Sequence, residues 1–377
     1  MNPVKIGVVG CGAISNAYFT HAKLYPELVQ IVAVADLNKA AAKAKAAEHG
    51  IPQVMSVAKL IKDPAIEIVL NLTIPAAHAA VALKAIRAGK HTYSEKPLGI
   101  SVAQGRKILA EAQKQGVRVG CAPDTFLGAG QQTARKLIDD GAIGRPLVAT
   151  AFMMGRGVET WHPNPEFYYK PGGGPMLDMG PYYLTALLNM LGKIDTVRGS
   201  AGIMIPKRTI THKNRQTGEN GPKYGQIIDV ETPDHVAGTI DFASGAIGTI
   251  VTSFATAHAT HDGKLPITIY GSEGTLRVPD PNGFDGTVQM RKLDDAEWTE
   301  VPHTHEKGFA RMVGVVDLAQ AIRTNRPHRA SGQLAMAVLE SMAGFLKSAQ
   351  TGKVVRLSDG FERPLAMPTN LKPGQMD

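Results

Sequence analysis

A carboxylate and a phenol stand four residues apart in GGGPMLDMGPYYL (172–184), as Asp178 and Tyr182. Positions i and i+4 share a helix face, so both side chains can enter one cleft while Met179, Tyr183 and Leu184 pack elsewhere. An ammonium group is available upstream at Lys96, in HTYSEKPLG (91–99). An unperturbed phenol titrates at about 10, which makes it a poor base at neutral pH. A cation ~4 Å away at an effective dielectric of ~20 is worth roughly 4 kcal/mol, or about three pK units, and would bring the phenol to about 7. That is an upper bound, because burial and an ionised Asp178 both oppose the phenolate. The trio suits proton transfer at a hydroxyl. Tyr182 is then the proton acceptor, Lys96 the cation on the developing alkoxide and Asp178 the orienter, or Lys96 and Tyr182 exchange roles. Either Lys96 lies nearer Tyr182 than Asp178 does, or Asp178 holds Lys96 in place. The plainer reading of the stretch is core packing with Tyr182 as a hydrogen-bonded buried phenol.

Pro181 is tolerated in a first helical turn but not further in, so the spacing predicts a helix starting near Asp178. The glycines before it let the backbone pass close to a ligand.

A second constellation lies at the start. In GVVGCGAIS (7–15), Gly10 and Gly12 end a strand pattern as G-x-G-x-x-S, with Ser15 where a third glycine is usual. Gly10 permits the tight turn, and Gly12 with Ala13 and Ile14 lets backbone amides approach a pyrophosphate at a helix N-terminus. Asp36 ends the next strand pattern, where a carboxylate accepts hydrogen bonds from ribose hydroxyls and repels a 2′-phosphate. Leu37 and Asn38 follow it rather than arginine, so NAD is expected over NADP. The alternative is Asp36 as a helix cap.

The elements that must position these groups alternate. Strand runs at 4–9, 29–36, 66–73, 91–97 and 117–122 are separated by helical stretches, including 38–50, 76–89 and 102–116. That is a doubly wound parallel sheet, an α/β Rossmann domain expected over residues 1–123. A helix at 131–141 leads to a strand at 146–154. From about residue 195, long strands dominate. Hairpins are expected in 234–256, around Ser244-Gly245, and in 265–279. Helices at about 311–324 and 332–351 should pack on the resulting sheet. Residues 124–377 are expected to form an α+β domain with a large, mostly antiparallel sheet, used for substrate binding and for oligomerisation through the sheet.

Composition excludes other classes. The 377 residues exceed what one core usually supports, and 44% hydrophobic with 20% charged is ordinary for a globular chain. The net charge of +8 comes from scattered cations. Their thickest patch, Lys207, Arg208, Lys213 and Arg215, reads as a solvated loop, so no nucleic-acid partner is expected. Neither a leader peptide nor a membrane span is expected, and a reducing cytoplasm is the default compartment. Cys11 and Cys121 make no zinc or disulfide framework, and Cys11 reads as a small packing residue. His258, His261, His303 and His305 are not spaced as metal ligands, so no metal is expected. Trp161 and His162 are candidates for a substrate pocket, and Tyr168 and Tyr169 for stacking on a ring. His78 opens a helix face and reads as structural rather than catalytic.

Two further patterns narrow the reading. The stretch 71–99 carries T-x-P-x-x-H and then Glu95-Lys96-Pro97, and G-G-G-x-x-x-D-x-G follows at 172–180. With the glycine turn, these resemble the Gfo/Idh/MocA family of nicotinamide-dependent sugar and cyclitol oxidoreductases over nearly the whole chain. The resemblance implies that Thr73, Ile74 and Pro75 border the nicotinamide ribose, and His78 in the same element is counted with the cofactor contacts. It also implies that Glu95 and Lys96 lie beside the nicotinamide, that Pro97 often follows a cis peptide, and that Asp178 is an active-site carboxylate. His162 matches a substrate-contacting position more loosely. Tyr182 stands where most relatives have histidine, although some have tyrosine. Pro123, Asp124 and Thr125 stand where many have Arg or Asn, and Asp124 is counted with the substrate contacts. The implied activity is hydride transfer between NAD and a secondary alcohol or ketone of a sugar, glycoside or cyclitol. Glycoside hydrolysis through transient oxidation by NAD and a non-catalytic nucleotide sensor are the alternatives.

Overall fold

Two sheets of different character organise the chain, and the computed structural model describes residues 2–214, 216–257 and 264–377. The first sheet is built from short strands whose central members, Val4–Val9 and Ile68–Asn71, are largely apolar and buried on both faces, as a sheet covered on both sides requires. It contains β1 (Val4–Val9), β2 (Val29–Ala35), β3 (Gln53–Val54), β4 (Ile68–Asn71), β5 (His91–Ser94) and β6 (Val119–Cys121). Their spatial order is β3-β2-β1-β4-β5-β6, and every pairing is parallel. The connections are α1 (Ser15–Ala22), α2 (Lys39–His49), α3 (Val57–Lys62), α4 (Pro75–Arg87) and α5 (Val102–Gln115). Asn38 caps α2 by accepting from the Ala40 and Ala41 amides, and Gly50 ends it in the left-handed region at φ 72°. β3 and α3 are absent from the sequence reading. Two exposed residues and a six-residue helix are too short to carry a period.

The chain leaves this sheet through a cis Ala122–Pro123 peptide and enters α6 (Ala129–Asp139). The second sheet has nine strands. They are β7 (Pro146–Met154), β8 (Ile194–Gly202), β11 (His235–Phe242), β12 (Ile247–Ser253), β13 (Ile267–Gly271), β14 (Gly274–Val278), β15 (Val288–Lys292), β16 (Thr299–Val301) and β17 (Val355–Arg356). In the order β16-β15-β14-β13-β7-β12-β11-β8-β17 only β7 and β12 run parallel. Between β8 and β11 the chain forms a separate ribbon of β9 (Lys207–Thr209) and β10 (Ile227–Asp229).

One face of this sheet is covered by helices. α8 (Gly180–Leu191) is buried at every position. α10 (Gly332–Thr351) presses Phe345 onto β8 and β11, where Gly199 and Gly238 lie opposite each other. A Cβ on Gly238 would come within 2.5 Å of the Phe345 ring. The last two helices of the chain also reach back to the first half. Arg323 of α9 (Val313–Thr324) makes a two-pronged pair with Glu67, at 2.6 and 2.8 Å. Glu340 of α10 pairs with Arg106 at 2.8 Å. Among the described residues no helix is long and apolar enough to cross a membrane.

Candidate active site

The first βα turn has the geometry that the glycines require. Gly10 sits at φ 105°, and a Cβ there would strike the Leu72 backbone at 2.5 Å. A Cβ on Gly12 would meet nothing within 4 Å. The amides of Gly12, Ala13 and Ile14 donate to no protein acceptor among the described residues. These donors at the start of α1 fit a pyrophosphate. Ser15 turns its hydroxyl back to the Gly12 carbonyl at 2.7 Å, which is how the turn closes without a third glycine. Asp36 accepts from the Cys11 amide at 2.7 Å and from the Asn38 amide at 2.7 Å. The α2 cap is therefore Asn38, and Asp36 stays half-buried at the end of β2. Leu37, 97% exposed, stands beside it. The free Cys11 is buried, and burial, with Asp36 nearby, pushes its thiol up to about 11, as suits a packing residue.

Two loops follow at the ends of β4 and β5. Thr73 donates its hydroxyl to Asn71 at 2.7 Å, Ile74 is exposed, and Pro75 opens α4. His78, expected among the cofactor contacts, is instead fully buried. Its ring nitrogens lie 2.7 Å from the Pro97 carbonyl and 2.9 Å from the Thr73 carbonyl. It faces inward from α4 and ties the two loops together. Glu95 also points inward, accepting from the Tyr18 hydroxyl at 2.8 Å and from the Lys96 amide at 3.1 Å. The Lys96–Pro97 peptide is cis.

Lys96 crosses to the other half of the chain. Its Nζ donates to the Asp178 carboxylate and to the Asp178 carbonyl, both at 2.7 Å, and lies 5.4 Å from the centre of the Tyr182 ring. Asp178 therefore holds Lys96. The local helix differs from the expected one. Asp178 ends a four-residue turn, α7 (Pro175–Asp178), and Tyr182 lies in the first turn of the next helix, α8, directly after Pro181. The two side chains still meet at Lys96, across a break rather than along one face.

The electrostatics also correct the sequence estimate. Burial pushes the Tyr182 phenol above its ordinary value, outweighing the cations of Lys96 and Arg311. It is not drawn down toward neutrality. Burial works against the Lys96 charge as well, but Asp178 overrides it and holds the ammonium above the ordinary lysine range.

Arg311 escaped the sequence reading. Its guanidinium donates to the Tyr182 hydroxyl oxygen at 3.1 Å, yet in GFARMVG it is a lone cation with no motif around it. Asp124, expected to contact substrate, is fully buried behind it. Its carboxylate accepts from the Met312 and Gly314 amides, both at 3.1 Å, so it shapes the turn before α9 rather than lining a pocket.

An aromatic wall stands beside the trio. Trp161 is 47% exposed. The His162 ring makes edge contacts with Trp161, Phe167 and Tyr168 at 5.5, 5.7 and 5.3 Å. Burial, with Asp178 nearby, pushes the Tyr168 phenol up to about 12. Tyr169 turns away from any ring-stacking role. It is fully buried, donating to Glu159 and accepting from the Val158 amide. Arg208 is a second correction, because it is buried rather than solvated, paired with Glu159 at 2.9 Å and Asp234 at 2.8 Å. This buried ion cluster fixes the wall from behind. Arg215, His258 and His261 lie outside the described residues. His303 and His305 bond backbone carbonyls, and no His, Cys, Asp or Glu cluster suited to a metal occurs among the described residues.

Comparison with known proteins places this geometry. The description "Oxidoreductase family, NAD-binding Rossmann fold" matches residues 4–122, and "GFO/IDH/MocA C-terminal domain" matches residues 131–277. A trans-1,2-dihydrobenzene-1,2-diol dehydrogenase of Bos taurus is 31% identical over 191 residues, 50% of this chain. The chain spans 56% of that relative's length. A 1,5-anhydro-D-fructose reductase of Ensifer adhaerens is 26% identical over 362 residues, covering 94% of this chain and 99% of the other. The crystal structure of an NAD binding oxidoreductase from Klebsiella pneumoniae shares the fold, with a TM-score of 0.80 at 21% identity over 95% of this chain and 100% of that one. Both halves of one family are thus matched in chain order, and the crossing of Lys96 to Asp178 joins them: the chain belongs to the GFO/IDH/MocA family of NAD-binding oxidoreductases.

Proposed function

We propose that the protein transfers a hydride between NAD and a secondary alcohol or ketone of a sugar, glycoside or cyclitol, with Lys96, Asp178 and Tyr182 as the reacting trio. The observation that carries this reading is the 2.7 Å pair between Lys96, at the end of a Rossmann strand, and Asp178 of the other half. The sugar and diol chemistry named for the relatives supports the substrate class. The open turn at Gly12 and the carboxylate of Asp36 suit NAD, which supplies the hydride acceptor when bound.

In alcohol oxidation the substrate hydroxyl loses its proton to the Tyr182 oxygen. Lys96 faces the oxygen left behind with a permanent positive charge, and Asp178 fixes that charge in place. Ketone reduction reverses the proton transfer. Trp161, His162 and Tyr168 offer the apolar and polar edges that a polyol ring needs. Asp124 acts from behind Arg311. We further propose that the molecule is a homodimer or homotetramer built through the uncovered face of the nine-stranded sheet. The two buried, free cysteines suit a reducing cytoplasm.

The test is a panel of sugars, glycosides and cyclitols with NAD and with NADP, following absorbance of the reduced cofactor. At least one polyol should give steady reduction with NAD, lost in Lys96→Met and Tyr182→Phe. An enzyme that binds NAD yet reduces it with no member of the panel would overturn the reading.

A further inference from the structure

Tyr182 and its cations are arranged in a way that the trio alone does not explain. Lys96 commits two of its three hydrogen bonds to Asp178 and meets Tyr182 through the ring face. The hydrogen bond to the Tyr182 oxygen comes from Arg311 Nη2, at 3.1 Å, and the same nitrogen lies 3.3 Å from Asn282 Oδ1. A guanidinium donates and never accepts, and it stays charged throughout the working pH range. The Tyr182 oxygen must therefore be the acceptor toward Arg311. Its own proton is left for another partner.

The placement of Arg311 is enforced. Met312, the next residue, is fully buried in the left-handed region at φ 100°, unusual for a side chain of that size. Asp124 clamps this turn through the amides of Met312 and Gly314. Its free oxygen, Oδ1, lies 4.0 Å from Arg311 Nη1, too far for a hydrogen bond, and neither atom has another partner among the described residues. Asp124 thus pulls on Arg311 by charge without occupying the nitrogen that serves Tyr182.

We infer that Arg311 is a further positioning residue for the reaction: it is the cation paired with the Tyr182 oxygen while that oxygen is a phenolate, which leaves Lys96 to serve the substrate oxygen. The inference rests on Tyr182 being the proton acceptor. In oxidation the substrate O–H bond breaks and its proton joins the phenolate oxygen. The electron pair of the breaking C–H bond would leave as hydride to NAD held at the glycine turn, and the C=O bond would form. Arg311 offsets the phenolate charge before this step and keeps the regenerated phenol aimed outward after it. The other charged or titratable groups facing Tyr182 are Lys96 and Glu95 after β5, Tyr168 from the aromatic wall and Asp178 from α7, with Asp124 behind Arg311. The two cations lower the phenol while burial raises it.

The experiment compares the wild type with Arg311→Gln, Arg311→Lys and Tyr182→Phe. One readout is the ultraviolet difference titration of tyrosinate, taken against Tyr182→Phe without cofactor or substrate. The other is the pH profile of kcat/KM for oxidation. Arg311→Gln should displace the Tyr182 titration upward by roughly one to three units and carry the pH profile with it. At fixed pH, kcat should fall about tenfold per unit displaced while KM changes little. Arg311→Lys should restore part of the shift. A folded Arg311→Gln protein with the wild-type titration would overturn the inference. Should that variant not fold, Arg311→Met decides, because it too removes the charge, and an unmoved titration there would be equally fatal. Tyr182→Phe separates the two failures, since a retained rate and pH profile would remove Tyr182 as the base whatever the Arg311 variants do.

Discussion

Single residues divide into those that a motif announces and those that only the fold brings in. Asp36 is announced by its place after the second strand, and the structure leaves its carboxylate half-buried, holding two amides. Asp36→Ala should raise KM for NAD about tenfold or more, the loss of hydrogen bonds to a charged acceptor, and should narrow the preference over NADP. Parallel kcat/KM measurements with both cofactors check this. Lys96 is announced in the same way. Lys96→Met should lower kcat by about 10²–10⁴-fold with little change in NAD affinity measured by fluorescence quenching. The pH dependence has a definite sign. The Tyr182 phenol lies above its ordinary value in the free protein, so the phenolate that oxidation requires grows as pH rises. Oxidation should therefore accelerate toward alkaline pH, and ketone reduction, which needs the phenol protonated, should decline there. A bell centred at neutral pH would contradict the burial argument. The sequence estimate erred on this point because it contained the cation but not the extent of desolvation. Arg311 and the buried state of Asp124 were illegible for a related reason. Their partners lie more than a hundred positions away, and no local spacing encodes such a contact.

At the scale of elements, legibility followed periodicity. The parallel strands and their helices could be read because apolar runs and capping residues mark them, and both hairpins of the second sheet fell at glycine-containing turns. The short pieces β3, β9, β10, β16 and β17, each of two or three residues, could not be read. The break between α7 and α8 was hidden as well, since Pro181 is as compatible with one helix beginning early as with two in succession. The contact of α10 with the sheet is a further case. Glycines 199 and 238 fall in stretches that read as strand, but the sequence gives no reason for them, whereas the structure shows paired strand positions kept bare so that Phe345 can approach. Phe345 is fully buried, and Phe345→Ala should cost about 3–5 kcal/mol of stability. Gly238→Val should destabilise too, by overpacking rather than by a cavity. Urea unfolding followed by circular dichroism measures both. A Gly238→Val protein as stable as the wild type would mean that α10 can lift away from the sheet, and the crossing of α10 to Glu340–Arg106 would lose its role as a rigid tie.

For the whole molecule, the asymmetry of the second sheet is the feature that remains to be accounted for. Its inner face lies under α8 and α10, but its outer face presents a row of apolar side chains. Ile247 and Tyr270 flank Val148 in register, and all three are at least 43% exposed. The next row is Thr249, Thr150 and Thr268, so the middle of the face carries no charge although the chain as a whole carries +8. Two such molecules carry a net repulsion to which an uncharged surface of this kind adds nothing. A two-fold axis through it sets the same rows against each other without needing a different partner, and a stable contact of this type covers about 1,200–2,000 Å² in total. Light scattering at micromolar concentration should therefore give twice or four times the chain mass. Ile247→Glu, which sets a charge in the apolar row on each copy, should dissociate the assembly. The trio lies between the two sheets, not on this outer face, so the dissociated variant should still bind NAD. A wild-type monomer at that concentration would overturn the assignment of the sheet face, and an Ile247→Glu protein that stays assembled would move the contact elsewhere on the molecule.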